Sequence, residues 1–408
     1  MKTEVDSLRV KRCRLCKSHD VKAVLELRDS ALCDAYLNVE KSQTFYPLIL
    51  NRCKKCDFIQ LGHVVPPEII YEDYLYFTES SPGLDVHFKK YSNTVMSTLQ
   101  LGRDNLIVDI GSNDGTLLKH FMGHNQRVLG IEPSVSACRL ANARNIKTYN
   151  AFFDQKLVKL ILKTDGKVDL ITINNLFANV VDLNKLLDNV GDLLADSGVL
   201  IIESSYLFSM LDNMVFDFIY HEHISYLSVK PLKEWFSKNG FKLFNIEQVD
   251  TKGGSLRYFV GKEKSKWKVR PSVKEIERAE STGRNLEQKF FDFRDNINRI
   301  KLKCDSFLSN YHKKRIVGYG ASATSTTLIS HLELQSYLTY LVDDNQAKVG
   351  RFSPGHHIPV FGPERLIVEE PDLIIILAWR FFDQIYPKIR GIGVPVIIPL
   401  PNFDVVEF

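Results

Sequence analysis

The sequence lacks the features of a membrane-embedded, secreted or nucleic-acid-binding protein. Its 408 residues contain no run of about eighteen apolar residues, the length that a membrane-spanning helix requires. Residues 1–10 carry no apolar segment typical of a signal peptide. The net charge of +4 is small for this length, so we expect neither nucleic acid nor a membrane as a partner. These absences predict a cytoplasmic globular protein.

Cysteine is also scarce. The chain has seven cysteines, an odd number that does not suit a disulfide framework. Four of them form two CxxC pairs, Cys13 with Cys16 and Cys53 with Cys56. Four thiolates at this spacing are typical of a structural zinc ribbon, because they complete a tetrahedral shell. We therefore expect one structural zinc ion. A redox CxxC is the alternative, but neither pair stands at the strand-to-helix junction of a βαβ unit.

The segment 106–118, LIVDIGSNDGTLL, has the pattern of a nucleotide-binding turn. An apolar run ends at Asp109, and a loop that starts with Gly111 leads into a helical pattern. Asp109 and Asp114 can accept hydrogen bonds from an amine or hydroxyl, whereas a phosphate loop would avoid two carboxylates. Glu132 ends the next strand, where a doubly wound sheet positions the acid that binds a ribose. Together with GIEPS at 130–134, the segment resembles the S-adenosylmethionine (SAM) site of class I methyltransferases, and an ordinary βα turn is the alternative.

Strands alternate with helices through the middle of the chain. We predict strands at 106–110, 127–132, 167–175 and 198–205, with helices between them. This alternation predicts a parallel, doubly wound sheet that binds ligands at the carboxyl ends of its strands. Residues at those ends are the candidates for binding the cofactor: Asp109, Gly111, Asn113, Asp114, Glu132, Pro133, Phe152, Phe153, Asn174 and Asn175.

The densest group of acid–base residues is DFIYHEHISY at 217–226. A histidine can move a proton near neutral pH, a carboxylate can fix its tautomer, and a tyrosine hydroxyl can stabilise an oxyanion. Tyr220, Glu222 and His223 are therefore the predicted catalytic group. A metal at His221 and His223 is one alternative, although the HExxH pattern is absent. A purely structural polar cluster is another.

Two glycine loops are candidates for binding phosphate. The first, KGGSLR at 252–257, exposes backbone amides and adds an arginine. The second, GYGASATS at 318–325, fits GxGxxA after an apolar strand. By itself this second loop is typical of dinucleotide binding, so an NAD-dependent sugar-nucleotide dehydrogenase is the alternative function. Between the loops, residues 272–314 predict one or two long helices.

In chain order, CxxC…CxxC, VDIGSNDGTLL, GIEPS, YHEH, GGSLR and VGYGASATS resemble the C-methyltransferases of nucleotide-linked 4-keto-6-deoxyhexoses, such as those that make tetronitrose. The resemblance covers nearly the whole chain. It implies an α/β protein with a zinc-ribbon-like domain at 1–66, a class I SAM methyltransferase domain at 67–262, and a Rossmann-like domain at 263–408 that binds the nucleotide sugar. We expect a monomer or a weak homodimer.

The resemblance also implies roles for individual residues. The family's catalytic Tyr-x-Glu-His motif falls on the YHEH segment, and a linker tyrosine falls on Tyr74 or Tyr76, of which we favour Tyr76. A histidine that members often carry after the fourth strand is replaced here by Asn179, which cannot act as a base near neutral pH. The substrate-binding candidates are Gly254, Ser255, Arg257, Tyr319, Ser322, Thr324 and Ser325.

The implied reaction is methylation of carbon 3 of the sugar by SAM, through an enolate. The 4-keto group makes the proton on carbon 3 removable. We expect His223, oriented by Glu222, to remove this proton and Tyr220 to hold the enolate oxygen, with Asn179 or Tyr76 assisting.

Overall fold

Three β-sheets follow one another along the chain in the computed structural model of the protein. The structure describes residue 5, residues 7–70, residue 78, and residues 83–282 and 285–407. The strands in these ranges are β1 (Val21–Ser30), β2 (Tyr46–Cys53), β3 (Ile59–Leu61), β4 (Leu106–Ile110), β5 (Arg127–Ile131), β6 (Thr148–Tyr149), β7 (Val168–Asn174), β8 (Leu194–Ser205), β9 (Ser225–Tyr226), β10 (Phe241–Val249), β11 (Ser255–Lys262), β12 (Ile316–Tyr319), β13 (Leu338–Val342), β14 (Val360–Phe361), β15 (Leu373–Ile376), β16 (Val396–Ile398) and β17 (Asp404–Val406).

Helices connect most of these strands. Those of four residues or more in the described ranges are α1 (Pro67–Ile70), α2 (Leu84–Leu99), α3 (Thr116–Met122), α4 (Val135–Ala143), α5 (Gln155–Thr164), α6 (Leu183–Leu193), α7 (Leu207–Asp212), α8 (Val229–Lys238), α9 (Pro271–Ser281), α10 (Leu286–Leu308), α11 (Ala323–Leu332), α12 (Arg365–Glu369) and α13 (Phe382–Ile389). The one or two long helices predicted for 272–314 correspond to α9 and α10. None of the helices described here combines the length and apolarity needed to span a lipid bilayer.

The central sheet has the strand order β10-β11-β8-β7-β4-β5-β6. Strands β4 to β8 are parallel, and β11 runs antiparallel to β8. Because successive side chains of a strand point to opposite faces, Ile107 packs toward α2 and α3 while Val108 packs toward α5 and α6. The predicted doubly wound sheet is confirmed. Its parallel strands bring Asp109, Glu132 and Asn174 to one edge.

The carboxyl-terminal sheet has the order β14-β13-β12-β15-β16-β17. Its first five strands are parallel, and only β17 is antiparallel to its neighbour. The loop 320–322 joins β12 to α11, which is the strand–loop–helix arrangement that the GxGxxA pattern predicted. The second Rossmann-like unit is thus confirmed.

The amino-terminal sheet contains a strand from the middle of the chain. Its order is β1-β2-β3-β9, and β9 directly follows the YHEH segment. Ile59 pairs with Tyr226, and Gln60 pairs with Ser225. The amino-terminal region therefore fixes the position of the predicted catalytic segment, although the domain boundaries themselves stay predictions.

Candidate functional site

The four CxxC cysteines meet at one point. Their sulfur atoms all lie within 4.8 Å of one another, with Cys13 3.6 Å from Cys56 and Cys16 3.5 Å from Cys53. Zinc–thiolate bonds of about 2.3 Å in a tetrahedron give sulfur–sulfur edges of about 3.8 Å, so these residues fit the ion. Four protein ligands leave no open position, and the zinc is therefore structural.

A cavity of about 1050 Å³ opens at the carboxyl ends of the central strands. Ligand pockets usually measure about 300–1,000 Å³, so this cavity has room for a cofactor and a second molecule. Its walls come from all three regions of the chain. They include Asp34, Asp109, Gly111, Ser112, Asn113, Glu132, Pro133, Phe152, Phe153, Asn174, Asn175, Asn179, Tyr220, Glu222, His223, Lys252 and Ala323.

Acceptor groups dominate the part of the cavity formed by the Asp109 loop. Asp109 is buried and accepts hydrogen bonds from Thr172 Oγ1 at 2.6 Å and from Asn174 Nδ2 at 3.3 Å. Burial raises the pKa of Asp109 to about 7. The carboxylate of Glu132 accepts from the backbone amides of Asn113 at 2.9 Å and Ser134 at 2.7 Å, and burial raises its pKa as well.

The same region contains polar atoms that lack partners. Ser112 Oγ and Asn174 Oδ1 are buried in the cavity wall and make no hydrogen bond to any described residue. Gly111 has φ +75°, and a Cβ there would come within 2.7 Å of the Leu176 side chain. SAM carries an ammonium group and ribose hydroxyls that need acceptors, so the residues present fit this cofactor. Phe152, 67% exposed, offers an apolar face for its adenine.

Asp114 is the one cofactor candidate that does not line the cavity. Its buried carboxylate accepts from the Thr116 amide at 3.1 Å and from Thr116 Oγ1 at 2.6 Å. Asp114 therefore stabilises the start of α3. The other nine candidates lie in the cavity wall, and their contacts with the cofactor stay predictions.

His223 and Tyr220 form a hydrogen-bonded pair in the cavity. His223 Nδ1 lies 3.0 Å from the Phe218 carbonyl, to which it donates, and this leaves a lone pair on Nε2. The Tyr220 hydroxyl lies 3.1 Å from Nε2 and donates to it. Burial, reinforced by the charge of Lys252, lowers the pKa of His223 to about 3. His223 is thus a neutral acceptor at physiological pH.

Glu222 does not orient His223, which corrects the expectation from the sequence. Glu222 Oε1 instead accepts a hydrogen bond from the Cys33 thiol at 3.1 Å, and burial raises its pKa to about 7. The Phe218 carbonyl takes the orienting role, because the chain turns between residues 218 and 223. A backbone partner of this kind leaves no signal in the sequence.

The remaining catalytic candidates have different outcomes. Asn179 lies in the cavity wall, whereas Tyr74 and Tyr76 fall outside the described residues. The alternative of a metal at YHEH is not supported, because His221 Nε2 donates to the Tyr46 carbonyl at 3.2 Å. Within the described ranges, the four cysteines are the only group of three or more side chains placed to bind a metal.

Arg257 does not face the cavity, which corrects its prediction as a substrate ligand. It is buried on β11, where its guanidinium contacts Glu203 at 2.8 Å and Glu247 at 2.9 Å. Strand β11 lies between β8 and β10, where Glu203 and Glu247 are the cross-strand neighbours of Arg257. Gly254 has φ +111° and packs against Ser209, and Ser255 donates to the Thr251 carbonyl at 3.0 Å. This loop therefore forms a tight turn, and Lys252 is the residue of this loop that lines the cavity.

The GYGASATS loop is packed closely on its own sheet. A Cβ on Gly320 would lie 2.5 Å from Ala378, and the Ala321 amide donates to Asp343 at 2.5 Å. The Tyr319 hydroxyl donates to Asp344 at 3.3 Å, and the hydroxyls of Ser322, Thr324 and Ser325 bond one another. Of this loop and helix start, Ala323 lines the cavity. Substrate contacts by the four predicted residues stay predictions.

Two arginines near the site carried no signal in the sequence. Arg380 pairs with the buried carboxylate of Asp217 at 2.9 Å and lies 3.4 Å from Thr324 Oγ1. Arg14, between Cys13 and Cys16, donates to the backbone carbonyls of Val180 and Val181, to the Ile224 carbonyl at 3.3 Å and to Ser225 Oγ. The zinc knuckle thus holds the two segments that carry Asn179 and His223.

Three family models match the chain in succession. They are a zinc binding domain at residues 13–71, a methyltransferase domain at 88–246 and a C-methyltransferase C-terminal domain at 250–401. The chain is also 28% identical over 408 residues to the C-methyltransferase NovU of Streptomyces niveus, with 98% of this chain and 97% of that protein covered.

Solved structures resemble part of the chain. The plantazolicin methyltransferase BpumL, in complex with a desmethyl-plantazolicin analog and SAH, is 13% identical with a TM-score of 0.37, and the match covers 46% of this chain and 87% of that one. A SAM-dependent methyltransferase from Clostridium acetobutylicum is 13% identical with a TM-score of 0.35, covering 48% and 94%.

The zinc centre generates the first prediction. Cys53→Ser should lose the bound zinc and lower the free energy of unfolding by several kcal/mol, because structural zinc binding is coupled to folding. Metal analysis by mass spectrometry and denaturant unfolding would measure both. Cys304→Ser, at a buried cysteine of α10, is the matched control and should keep one equivalent of zinc. Full zinc content in Cys53→Ser would contradict the assignment.

The ion pair of Arg257 generates a second prediction. Arg257→Met leaves the buried carboxylate of Glu203 with His87, 2.6 Å away, as its remaining partner, and should lower the free energy of unfolding by about 3–5 kcal/mol. Lys230→Met, which breaks an exposed pair with Asp57, should cost less than about 1 kcal/mol. Denaturant unfolding measures both variants. Unchanged stability of Arg257→Met together with weaker substrate binding would restore the role predicted from the sequence.

The pKa of Asp109 generates a third prediction. A pKa near 7 means that the free protein must lose a proton before this carboxylate can pair with a cationic ligand, so SAM affinity should rise between pH 6 and pH 8. Calorimetric titration across this range measures the dependence. Asp109→Asn should bind SAM more weakly and flatten the pH profile. A rise of the same size in that variant would assign the titration to another group.

Proposed function

We propose that this chain, a SAM-dependent C-methyltransferase, methylates carbon 3 of a nucleotide-linked 4-keto-6-deoxyhexose, in branched deoxysugar biosynthesis. The observation that carries the proposal is the Tyr220–His223 pair, 3.1 Å apart in the cavity that also holds the cofactor residues. Methylation at carbon requires a carbanion, and therefore a base together with a group that stabilises an oxyanion. A keto group beside the methylated carbon provides that oxyanion.

The proton transfer follows from the state of His223. Since the Phe218 carbonyl holds Nδ1–H, Nε2 is the atom that takes the proton from carbon 3. A resting pKa near 3 keeps Nε2 unprotonated across the physiological range. Negative charge that develops on the sugar beside the imidazole raises this pKa during the transfer, because an adjacent anion favours the charged imidazolium. Burial thus keeps His223 neutral in the free protein, so that Nε2 is protonated only when an enolisable substrate is bound.

Tyr220 supplies the hydrogen bond to the enolate oxygen. In the free protein the Tyr220 hydroxyl donates to Nε2 of His223. When the substrate binds, this hydroxyl donates instead to the oxygen on carbon 4. When bound, SAM supplies an electrophilic methyl group to the nucleophilic carbon, and the residues that would hold it are Asp109, Glu132 and Asn174. Asn175 and Asn179 also line the cavity, and their side-chain amides can hydrogen-bond to sugar hydroxyls.

The structure does not favour the alternative, a dehydrogenase that binds NAD at the carboxyl-terminal loop. In a dinucleotide site the second loop glycine leaves room for the pyrophosphate, but here a Cβ on Gly320 would lie 2.5 Å from Ala378. Asp343 already accepts from the Ala321 amide. The loop supports the nucleotide-sugar role only through its helix start, at Ala323, and through Arg380 beside Thr324.

Replacement of the pair tests the proposed roles. His223→Ala and Tyr220→Phe should keep SAM affinity, measured by calorimetry, while the turnover number falls by about 10²–10⁴-fold, the usual contribution of acid–base catalysis. His124→Gln, in the turn that follows the carboxyl end of α3 and outside the cavity wall, is a control that should leave turnover unchanged. Turnover of His223→Ala at the wild-type rate would remove His223 as the base.

The enolate can be tested without the cofactor. Wild-type enzyme mixed with a nucleotide-linked 4-keto-6-deoxyhexose in D₂O, with no SAM present, should exchange the hydrogen on carbon 3 for deuterium. Proton nuclear magnetic resonance would follow the loss of that signal. A bound substrate that keeps its hydrogen at carbon 3 would argue against a free enolate.

A further inference from the structure

Lys252 is a cavity-lining cation that takes no part in the Tyr220–His223 pair. It contributes to the wall of the large cavity beside Glu222 and His223, and it also lines a small adjoining pocket with His223 and Asn175. Among the described residues, no carboxylate or carbonyl lies within hydrogen-bond or ion-pair distance of its ammonium group. An ammonium group that is half-buried without a partner is unfavourable by itself, which indicates that a ligand supplies the missing acceptor.

The backbone holds this side chain in place. Lys252 has φ +54°, a left-handed conformation that costs a non-glycine residue free energy and is found preferentially at functional sites. The Thr251 carbonyl accepts from the Gly254 amide at 2.9 Å, which closes the turn. Gly253 packs so closely that a Cβ would lie 2.9 Å from Val215. The turn between β10 and β11 is therefore fixed, and it presents Lys252 to the cavity.

Charges of both signs act on Lys252. Burial lowers the pKa of Lys252 to about 8, while Glu222 and Glu203 oppose this shift and Arg380 adds to it. The side chain is thus charged at neutral pH. Its charge also contributes to the low pKa of His223, which shows that a second positive charge is disfavoured here. A negative charge on a substrate would relieve this repulsion.

We propose that Lys252 is a further catalytic residue, whose ammonium group binds the anionic oxygen that develops on the 4-keto sugar. This inference rests on the proposed function. His223 takes the proton from carbon 3, the electron pair of that C–H bond forms the carbon 3–carbon 4 double bond, and the carbonyl π pair moves to the oxygen. Lys252 keeps its proton and pairs with this oxygen beside the Tyr220 hydroxyl. In the methyl transfer the oxygen pair re-forms the carbonyl and the double-bond pair forms the bond between carbon 3 and the methyl group of SAM. The methyl–sulfur bond breaks, its electron pair stays on the sulfur of S-adenosylhomocysteine, and His223 then releases its proton to solvent.

The test compares Lys252→Gln, Lys252→Met and Lys252→Arg with wild type. Loss of the charge should lower both the SAM-free deuterium exchange at carbon 3 and the turnover number by about 10²–10³-fold, the usual cost of removing an oxyanion donor. KM for the sugar and the affinity for SAM should change little. Lys264→Gln, at an exposed lysine, is the matched control and should behave as wild type.

The pH profile separates the charge of Lys252 from a merely structural role. The groups that act on Lys252 are Glu222, Glu203, Arg380 and His223. Wild-type turnover should decline above about pH 8, where Lys252 loses its proton. Lys252→Arg keeps its charge, so it should retain more activity than Lys252→Gln and extend the plateau to higher pH. The same decline in Lys252→Arg would contradict the inference.

The other outcomes are equally decisive. If Lys252→Gln and Lys252→Met exchange the hydrogen on carbon 3 at the wild-type rate, the proposed role of Lys252 is wrong and the proposed function still stands. A raised KM with unchanged turnover would reassign Lys252 to the substrate diphosphate. If the wild-type enzyme neither exchanges nor methylates any nucleotide-linked 4-keto-6-deoxyhexose, the proposed function fails and this inference falls with it.

Discussion

The hydrogen bonds that hold residues 223–226 against the zinc-binding sheet set the geometry of the active site. Strand β9 has two residues and pairs only at its contact with β3 in the described chain, so it cannot be stable by itself. Arg14 adds charge-assisted bonds to Ser225 and to the carbonyls of Ile224 and Val181. Bonds to a charged group stabilise by about 1.5–3 kcal/mol, more than neutral ones. The zinc centre lies outside the cavity, but the zinc-binding region fixes the position of the segment that carries His223.

The cavity is divided by charge. The carboxylates of Asp109 and Glu132 lie at the ends of β4 and β5, both with raised pKa values, and they suit a cofactor with donor groups. Lys252 is the cation beside Glu222 and His223 in the same wall, and Arg380 lies outside the cavity wall in an ion pair with Asp217. His223, neutral and held by a backbone carbonyl, stands in the same cavity wall.

Features with local causes were predictable from the sequence. Asp109 lies near the end of β4 and Glu132 follows β5; the apolar runs of both strands are plain, and parallel strands must bring their ends together. The CxxC pairs were equally clear, because thiolate spacing dictates the metal. The wrong predictions have long-range causes. Arg257 was predicted to bind the substrate, but it pairs with Glu203 on β8 and Glu247 on β10. Glu222 was predicted to orient His223, but it accepts a hydrogen bond from Cys33. The pairing of β9 with β3 and the hydrogen bonds of Arg14 join segments that are distant in the sequence, so no local pattern could predict them.

The most direct test of this account uses SAM with an isotopically labelled methyl group and a panel of nucleotide-linked 4-keto-6-deoxyhexoses. Mass spectrometry would detect the labelled product, and nuclear magnetic resonance would locate the label. The account predicts a new carbon–carbon bond with the label on carbon 3 of the sugar. A label on a hydroxyl oxygen or on another carbon would contradict it, as would NAD-dependent oxidation of the sugar without any methyl transfer.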